Sequence, residues 1–155
     1  MGTRSTIALE FADGTVQQVY CHWDGYLEHN GAILRDHYSD PFVLRDLIDM
    51  GDMSSLGKVI GEAHPFSPHS SPEDKALYEA AREAGYCTFY ARDRGETGVS
   101  AKKFADFEDY RKNHQYEEYE YILRNIDGKA VWFVDDHGKG YVPLTEAFAK
   151  EEIMV

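Results

Sequence analysis

Two Asp-Gly pairs, each placed between stretches in which apolar and polar residues alternate, constrain the fold more than any other feature. Such pairs are typical of tight β-hairpin turns, because aspartate and glycine both tolerate the positive φ angles that these turns require. Asp13-Gly14 follows the strand pattern STIALEF, and Asp127-Gly128 follows YEEYEYILRN. The strands predicted around the two turns are residues 5–11, 15–22, 116–125 and 129–136. The mixed faces of the second of these strands indicate a bulge or an edge position.

Apolar residues at helical spacing predict helices between and after the hairpins. The clearest begins at Ser71, a serine cap followed by a proline and two acidic residues, and ends at Gly85. The other predicted helices begin near His29 or cover residues 42–51, residues 101–113 after a Ser100 cap, and residues 144–152. Residues 86–93 predict an interior strand and residues 58–60 a short one.

These segments together indicate an α+β fold in one domain over residues 1–155. We expect an antiparallel sheet of hairpin-linked strands, with three to five helices packed mainly on one face. A doubly wound α/β fold is less favoured, because it requires parallel strands with crossover connections and leaves no role for the hairpins.

The charge of the chain limits its partners. Sixteen Lys and Arg residues against 28 Asp and Glu residues give a net charge of −12 at pH 7. Nucleic-acid binding needs a basic surface, so we expect no direct contact with nucleic acid. An acidic surface can instead meet a basic partner, although charge of this size also serves solubility alone.

The apolar residues indicate neither a membrane protein nor a secreted one. No apolar run approaches the roughly 20 residues that cross a bilayer, and the first residues contain no apolar signal core or cleavage site. Cys21 and Cys87 fit a reducing compartment, as small buried apolar groups rather than as a disulfide. We therefore expect an intracellular protein that does not contact a membrane.

The segment YCHWDGYLEHNG, residues 20–31, concentrates the residue types of reaction centres. His22 and Asp24 share one face of a predicted strand, and His29 can converge on them as a transition-metal set. The structural alternative has Asp24 accept backbone N–H bonds where the chain turns out of the strand. Compact ligand pairs such as HExxH or CxxC are absent from the chain, so we predict no metal and no cofactor.

A second cluster, YARDRGETG at residues 90–98, contains two of the few arginines of the chain. Arg92 and Arg94 can form an anion site, because the guanidinium group binds phosphates and carboxylates in pairs. The alternative is a set of ion pairs that ties down the loop. His64 is a candidate base in the preceding loop, or simply a solvated side chain.

The segment DFEDYRKNHQYEEYEY, residues 106–121, is the most distinctive candidate surface. It interleaves carboxylates with tyrosines, which are preferred residues at protein interfaces. Carboxylates can occupy a groove built for phosphates, because both present negative oxygens to Lys and Arg. The predicted partner-binding residues are Asp106, Glu108, Asp109, Tyr116, Glu117, Glu118, Tyr119 and Glu120. The alternative is a solvated sheet face with tyrosines packed beneath the C-terminal helix.

Several blocks resemble a family of small, mostly uncharacterised proteins of bacteriophages and other mobile elements. The blocks are RSTIAL, VYCHWDGYLEHNGAIL, GDMSSLG, YARDRGE and EYEYILRNIDGKAVWFVDD…YVPLTEAF, and they span nearly the whole chain. CHWDGY and RDRGE are the most specific of them. The resemblance transfers no activity and no functional residue. It implies a setting in which small intracellular proteins bind host machinery, including nucleic-acid-guided defence complexes.

These observations favour a phage-type accessory protein of the host cytoplasm that is not an enzyme. We expect it to bind a host protein with a basic, nucleic-acid-binding surface and to inhibit it by occlusion. An anti-CRISPR or other counter-defence inhibitor with an acidic, nucleic-acid-mimicking face fits this description. The alternatives are a small metal-dependent hydrolase that uses His22, Asp24 and His29, or a nucleotide- or signal-molecule-binding sponge that uses Arg92 and Arg94.

Overall fold

The computed structural model describes residues 2–154 and the side chains of residues 2–151. One sheet of eight strands has the order β4-β3-β2-β1-β6-β7-β8, with β5 paired to β2. The strands are β1 Ser5–Glu10, β2 Val16–Cys21, β3 Met53–Ser55, β4 Thr88–Phe89, β5 Lys102–Phe104, β6 Tyr119–Ile126, β7 Lys129–Asp136 and β8 Tyr141–Pro143. The helices are α1 Ala32–His37, α2 Pro41–Asp49, α3 Pro72–Glu83, α4 Tyr90–Arg94, α5 Phe107–Asn113 and α6 Leu144–Met154. A π-helical turn, Leu27–Gly31, leads into α1.

Both predicted hairpins are confirmed. β1 and β2 pair antiparallel across the first turn, and β6 and β7 pair antiparallel across the second. Gly14 has a φ of 90° in the first turn, whereas Asp127 and Gly128 have φ angles of 52° and 82° in the second. Glycine adopts such angles without steric cost and aspartate does so more readily than most residues, so these turns were predictable from the sequence.

The α+β class is confirmed, and the sheet is mixed rather than purely antiparallel. β1 lies between β2 and β6 and pairs in parallel with β6, which places Ile7 opposite Tyr121. β2 also pairs in parallel with β3. The predicted bulge or edge position of β2 is wrong, because an unbroken register joins β2 to β1 and two other strands pair with it.

The alternation of side chains along the strands produces a core on each face of the sheet. On one face Ile7 packs with buried residues of α1, α2 and α6. On the other face Ala8 and Ile122 pack with Tyr110 of α5. The helices therefore lie mainly on one face, as predicted, and α5 covers part of the opposite one.

Local side-chain hydrogen bonds explain why two of the helices were predicted well. The Asp40 carboxylate accepts from the backbone N–H of Phe42 at the start of α2, with Pro41 at the first helical position. Ser71 caps α3 in the same way, because its hydroxyl accepts from the N–H of Asp74. Each cap satisfies a backbone donor that the helix itself leaves unpaired.

The strand predicted over residues 86–93 is wrong beyond its first half. Only Thr88–Phe89 is a strand, it lies at the edge of the sheet, and Tyr90 begins α4. The Asp93 carboxylate accepts from the backbone N–H of Phe89 and so closes the turn into this helix. This additional helix takes the count above the predicted range.

Two further segments differ from their predictions. Residues 58–60 contribute only an isolated bridge, between Val59 and Tyr86, and the strand lies at β3 instead. Residues 102–104, predicted as helix, form β5, which pairs with β2. The helix begins later because Asp106, rather than Ser100, caps it by accepting from the N–H of Asp109.

Candidate functional site

The predicted acidic interface is divided by the sheet, and Glu120 is buried inside it. The side chain of Glu120 is 1% exposed and forms an ion pair with His114, which is 2% exposed. Nδ1 of His114 lies 2.6 Å from the carbonyl oxygen of Tyr110. The prediction of Glu120 as a partner-binding residue is therefore wrong, because its carboxylate already has a buried partner.

The surroundings of this pair change the protonation of both groups. Burial disfavours the charged imidazolium, but the hydrogen bond and negative charge of Glu120 outweigh it and raise the pKa of His114. Burial also raises the pKa of Glu120, against the opposing effect of His114. The His114–Glu120 pair therefore holds a proton at pH values above 6.5, where a free imidazole has lost its proton.

Tyr119 points to the opposite face of the sheet from Glu120. Its ring stacks with that of Tyr121 at a centroid distance of 6.3 Å and packs against the core beneath α6. Neighbouring residues of a strand face opposite sides, so Tyr119 and Glu120 cannot belong to one interface. The alternative of tyrosines packed on a sheet face describes Tyr119 better.

The rest of the predicted interface lies around α5 and the loop that follows it. Asp106 caps α5, Glu108 pairs with Arg111 at 3.2 Å, and Asp109 accepts from the N–H of Ala105. These contacts are local and leave Asp106 and Glu108 exposed. Tyr116 is 65% exposed, the following Glu117 is half-buried, and the side chain of Glu118 is 45% exposed.

Arg92 is a structural residue, so its prediction as an anion site is wrong. Its Nε and Nη2 bind the Asp93 carboxylate, Nη1 donates to the carbonyls of Ile60 and Gly61, and Nη2 also donates to that of Cys87. Every guanidinium nitrogen is occupied in this way, and no donor is left for a ligand.

The neighbouring Arg94 is more exposed but also has a partner. It binds the Glu96 carboxylate through Nε and Nη2, and its guanidinium lies over the rings of Phe66 and Tyr90. Ion pairs that tie down the loop describe the RDRGE block better than an anion site. His64 belongs to the same network, since Nε2 lies 2.9 Å from the carbonyl of Cys87.

The proposed metal set is not assembled. Nδ1 of His22 lies 2.7 Å from the Tyr20 hydroxyl, and Nδ1 of His29 lies 2.8 Å from the side-chain oxygen of Asn30. Within the described part of the chain, no group of three or more His, Cys, Asp or Glu side chains is placed to hold a metal ion. Both cysteines are free and buried, and burial raises the pKa of Cys21 to about 12, which makes it a poor nucleophile.

Asp24 has an uncommon conformation and an unused carboxylate. Its φ is 56°, in the left-handed region, and its backbone carbonyl accepts from the N–H of Asn30. Among the described residues, its side chain has neither a hydrogen bond nor an ion pair. The expectation that this carboxylate accepts backbone N–H bonds in the turn is therefore wrong.

Asp24 lines a small polar cleft that the sequence did not reveal. The cleft has a volume of about 300 Å³, and its walls are Trp23, Asp24, Ser54, Ser55, Phe66, Tyr78, Arg82 and Thr88. Three segments that are separated in the chain meet at this cleft: the CHWDGY block, the GDMSSLG block and α3. In the sequence, this cleft is indicated only by the concentration of aromatic and polar residues around Trp23 and Asp24. The pattern of α3 is that of an ordinary solvated helix and does not indicate a binding site.

A second cleft, of about 440 Å³, lies between β7, β8 and α6 and ends at Glu151. The carboxyl group of Glu151 hydrogen-bonds to that of Glu28, and this bond, with burial and the negative charge of Glu28, raises the pKa of Glu151 to about 7. The carboxyl group of Glu151 therefore keeps its proton in part of the population near neutral pH.

The Glu28→Gln variant is expected to lower the pKa of Glu151 from about 7 towards its ordinary value of 4.5. Glutamine removes the neighbouring negative charge, and its amide can donate to the ionised carboxylate. Carbon NMR titration of the Glu151 side chain measures this shift, and Asp136→Asn, which removes a more weakly acting charge, should shift the pKa less. An unchanged pKa in Glu28→Gln would contradict the carboxyl pair.

Comparisons with protein-family models, curated proteins and solved structures gave no match. Among residues 2–154, no helix is both long and apolar enough to cross a membrane.

Proposed function

We propose that this protein binds a host protein and inhibits it by occlusion, in the manner of an anti-CRISPR or other counter-defence inhibitor. The interface is the α5–β6 patch, which we define as Asp106, Glu108, Tyr116, Glu117 and Glu118. The partner presents a basic, nucleic-acid-binding surface, and the carboxylates of the patch compete there with phosphates.

The observation that carries this proposal is the exposure of Tyr116 beside two carboxylates on a chain of net charge −12. A large aromatic side chain that is 65% exposed leaves apolar area available to a partner. Tyrosine at the centre of an acidic patch supplies contact area, while the carboxylates supply steering and selection for a basic surface.

The position of Tyr116 is also held in advance of binding. Its hydroxyl donates to the carbonyl of Arg111 at 3.2 Å, and its ring centroid lies 4.2 Å from that of His114. A side chain that is already ordered loses less conformational entropy when it is buried by a partner. The buried His114–Glu120 pair thus supports the patch from below without forming part of it.

Replacing Tyr116 by alanine is expected to weaken partner binding by about 30-fold or more, because truncating an interface anchor commonly costs about 2 kcal/mol. Glu117→Lys with Glu118→Lys should also weaken it and should reduce its salt dependence. The partner is first isolated by affinity capture from nuclease-treated host lysate, and the affinity of each variant is then measured with the purified partner.

The matched control is Asp49→Lys with Glu62→Lys, which makes the same change in net charge at two exposed positions outside the patch. This control should retain binding. A further assay measures whether the protein displaces nucleic acid from the partner. Equal affinity in the patch and control variants, or no displacement, would contradict the proposal.

A further inference from the structure

The cleft lined by Trp23, Asp24 and Arg82 has unused polar groups of opposite charge. The Asp24 carboxylate has no partner among the described residues. Arg82 donates from Nη1 to the Tyr78 hydroxyl at 3.1 Å, while its Nε and Nη2 have no acceptor within the described part of the chain. Arg92 and Arg94, by contrast, are both committed to carboxylates.

Three aromatic side chains line the cleft together with these two charged groups. Trp23 is 43% exposed, and Phe66 and Tyr78 line the same cleft. The ring of Phe66 is held by the guanidinium of Arg94, 4.4 Å above it, and the ring of Tyr78 by that of Arg82 at 5.7 Å. Flat, ordered aromatic surfaces of this kind stack well on nucleobases.

We propose that this cleft binds a nucleoside monophosphate, with guanine as the preferred base. Arg82 binds the phosphate, the aromatic walls stack on the base, and Asp24 accepts from the base edge. The volume of about 300 Å³ lies at the small end of ligand pockets, which suits a mononucleotide better than a dinucleotide. This inference is independent of the α5–β6 patch.

The preference for guanine follows from the chemistry of a carboxylate, which can only accept hydrogen bonds when ionised. Guanine presents two adjacent donors, its ring N1–H and its exocyclic amino group, and both can pair with the two oxygens of Asp24. Adenine presents one amino group beside a ring nitrogen that carries a lone pair, so the second carboxylate oxygen would face another acceptor. An unpaired or repelled polar group in a binding site lowers affinity.

We assign the phosphate to Arg82 because two of its guanidinium nitrogens, Nε and Nη2, have no hydrogen-bond acceptor among the described residues. Nε and Nη2 are on the same edge of the guanidinium plane, which matches two oxygens of a phosphate. Because Arg82 is an exposed residue in the last turn of α3, a charged ligand group can reach it from solvent. The hydroxyl of Ser55 offers a further hydrogen bond in the cleft.

Isothermal titration calorimetry with GMP, AMP, guanosine and inorganic phosphate tests the inference on the full chain. GMP should bind saturably, at least about 10-fold more tightly than AMP or guanosine, because each loses a charge-assisted contact. Inorganic phosphate should bind more weakly than GMP, since it makes no contact with the rings. Ligand-induced quenching of tryptophan fluorescence should be lost in Trp23→Phe.

Two variants assign the roles of the charged residues. Arg82→Gln should weaken GMP binding by at least about 10-fold and leave guanosine unaffected. Asp24→Asn should remove the preference for GMP over AMP, and asparagine tolerates the left-handed backbone at this position. Arg45→Gln, an exposed arginine on α2 outside the cleft, is the matched control and should bind GMP like the wild type.

Several results would overturn the inference. One is the absence of saturable GMP binding up to about 1 mM. Another is unchanged GMP binding in Arg82→Gln. AMP bound as tightly as GMP would overturn the guanine assignment. Folding of each variant is checked by its thermal unfolding, so that a loss of binding is not confused with a loss of structure.

Discussion

Replacement of Arg92 by alanine is expected to lower the free energy of unfolding by about 3–5 kcal/mol, as the loss of one member of a buried ion pair commonly does. The Asp93 side chain is fully buried, at 0% exposed, and Arg92 is its cationic partner at 2.9 Å. The substitution also removes donors from the carbonyls of Ile60, Gly61 and Cys87. A buried carboxylate and three carbonyls would then lose a partner at once.

The control for this variant is Arg94→Ala, two positions along the same helix. Arg94 is 47% exposed and pairs with an exposed Glu96, so its loss should cost no more than about 1 kcal/mol. Urea unfolding followed by circular dichroism measures both values. Arg92→Lys should also be destabilised, because an ammonium group cannot reach the same set of acceptors. Similar stability losses in Arg92→Ala and Arg94→Ala would show that the network around Asp93 is not structural.

Replacement of Glu120 by alanine is expected to lower the free energy of unfolding by a comparable amount, about 3–5 kcal/mol. The substitution leaves His114 buried without its carboxylate partner, beneath Tyr116 and against Tyr110. Glu118→Ala, at an exposed position two residues earlier, should change stability by no more than about 0.5 kcal/mol. If both variants are equally stable, Glu120 is not a buried structural residue.

The same pair makes stability depend on pH. The pKa of His114 is raised above its ordinary value of 6.5 in the folded chain, so the folded protein keeps a proton that the unfolded chain releases. Its contribution to stability is therefore complete below pH 6.5 and is lost as the pH rises through the raised pKa. Urea unfolding over this range should show the decline in the wild type and a smaller one in Glu120→Gln.

The buried pair also limits how the proposed interface can be tested. A charge reversal that includes Glu120 would bury a cation beside His114, and the resulting loss of stability would reduce partner binding for that reason alone. Substitutions at Tyr116, Glu117 and Glu118 change the α5–β6 patch while leaving the His114–Glu120 pair in place. Loss of binding in those variants then reports on the interface itself.

Features that depend only on neighbours in the chain could be predicted from the residues alone. The hairpin turns at Asp13-Gly14 and Asp127-Gly128 follow from backbone angles that few residues tolerate. The starts of α2 and α3 follow from caps that act over two or three residues. Such interactions are complete within a short segment, so their residues predict them without knowledge of the rest of the fold.

Which charged residues are free to bind a partner or ligand depends on the three-dimensional fold. Arg92 and Arg82 are chemically identical in the sequence, yet carbonyls more than thirty residues away occupy the first and leave the second open. Glu118 and Glu120 are two positions apart in the chain, which is one repeat of a β-strand, yet only Glu120 forms a buried ion pair with His114. Burial and hydrogen-bond partners come from contacts between residues that are distant in the chain, so the local alternation and spacing of residues do not predict them.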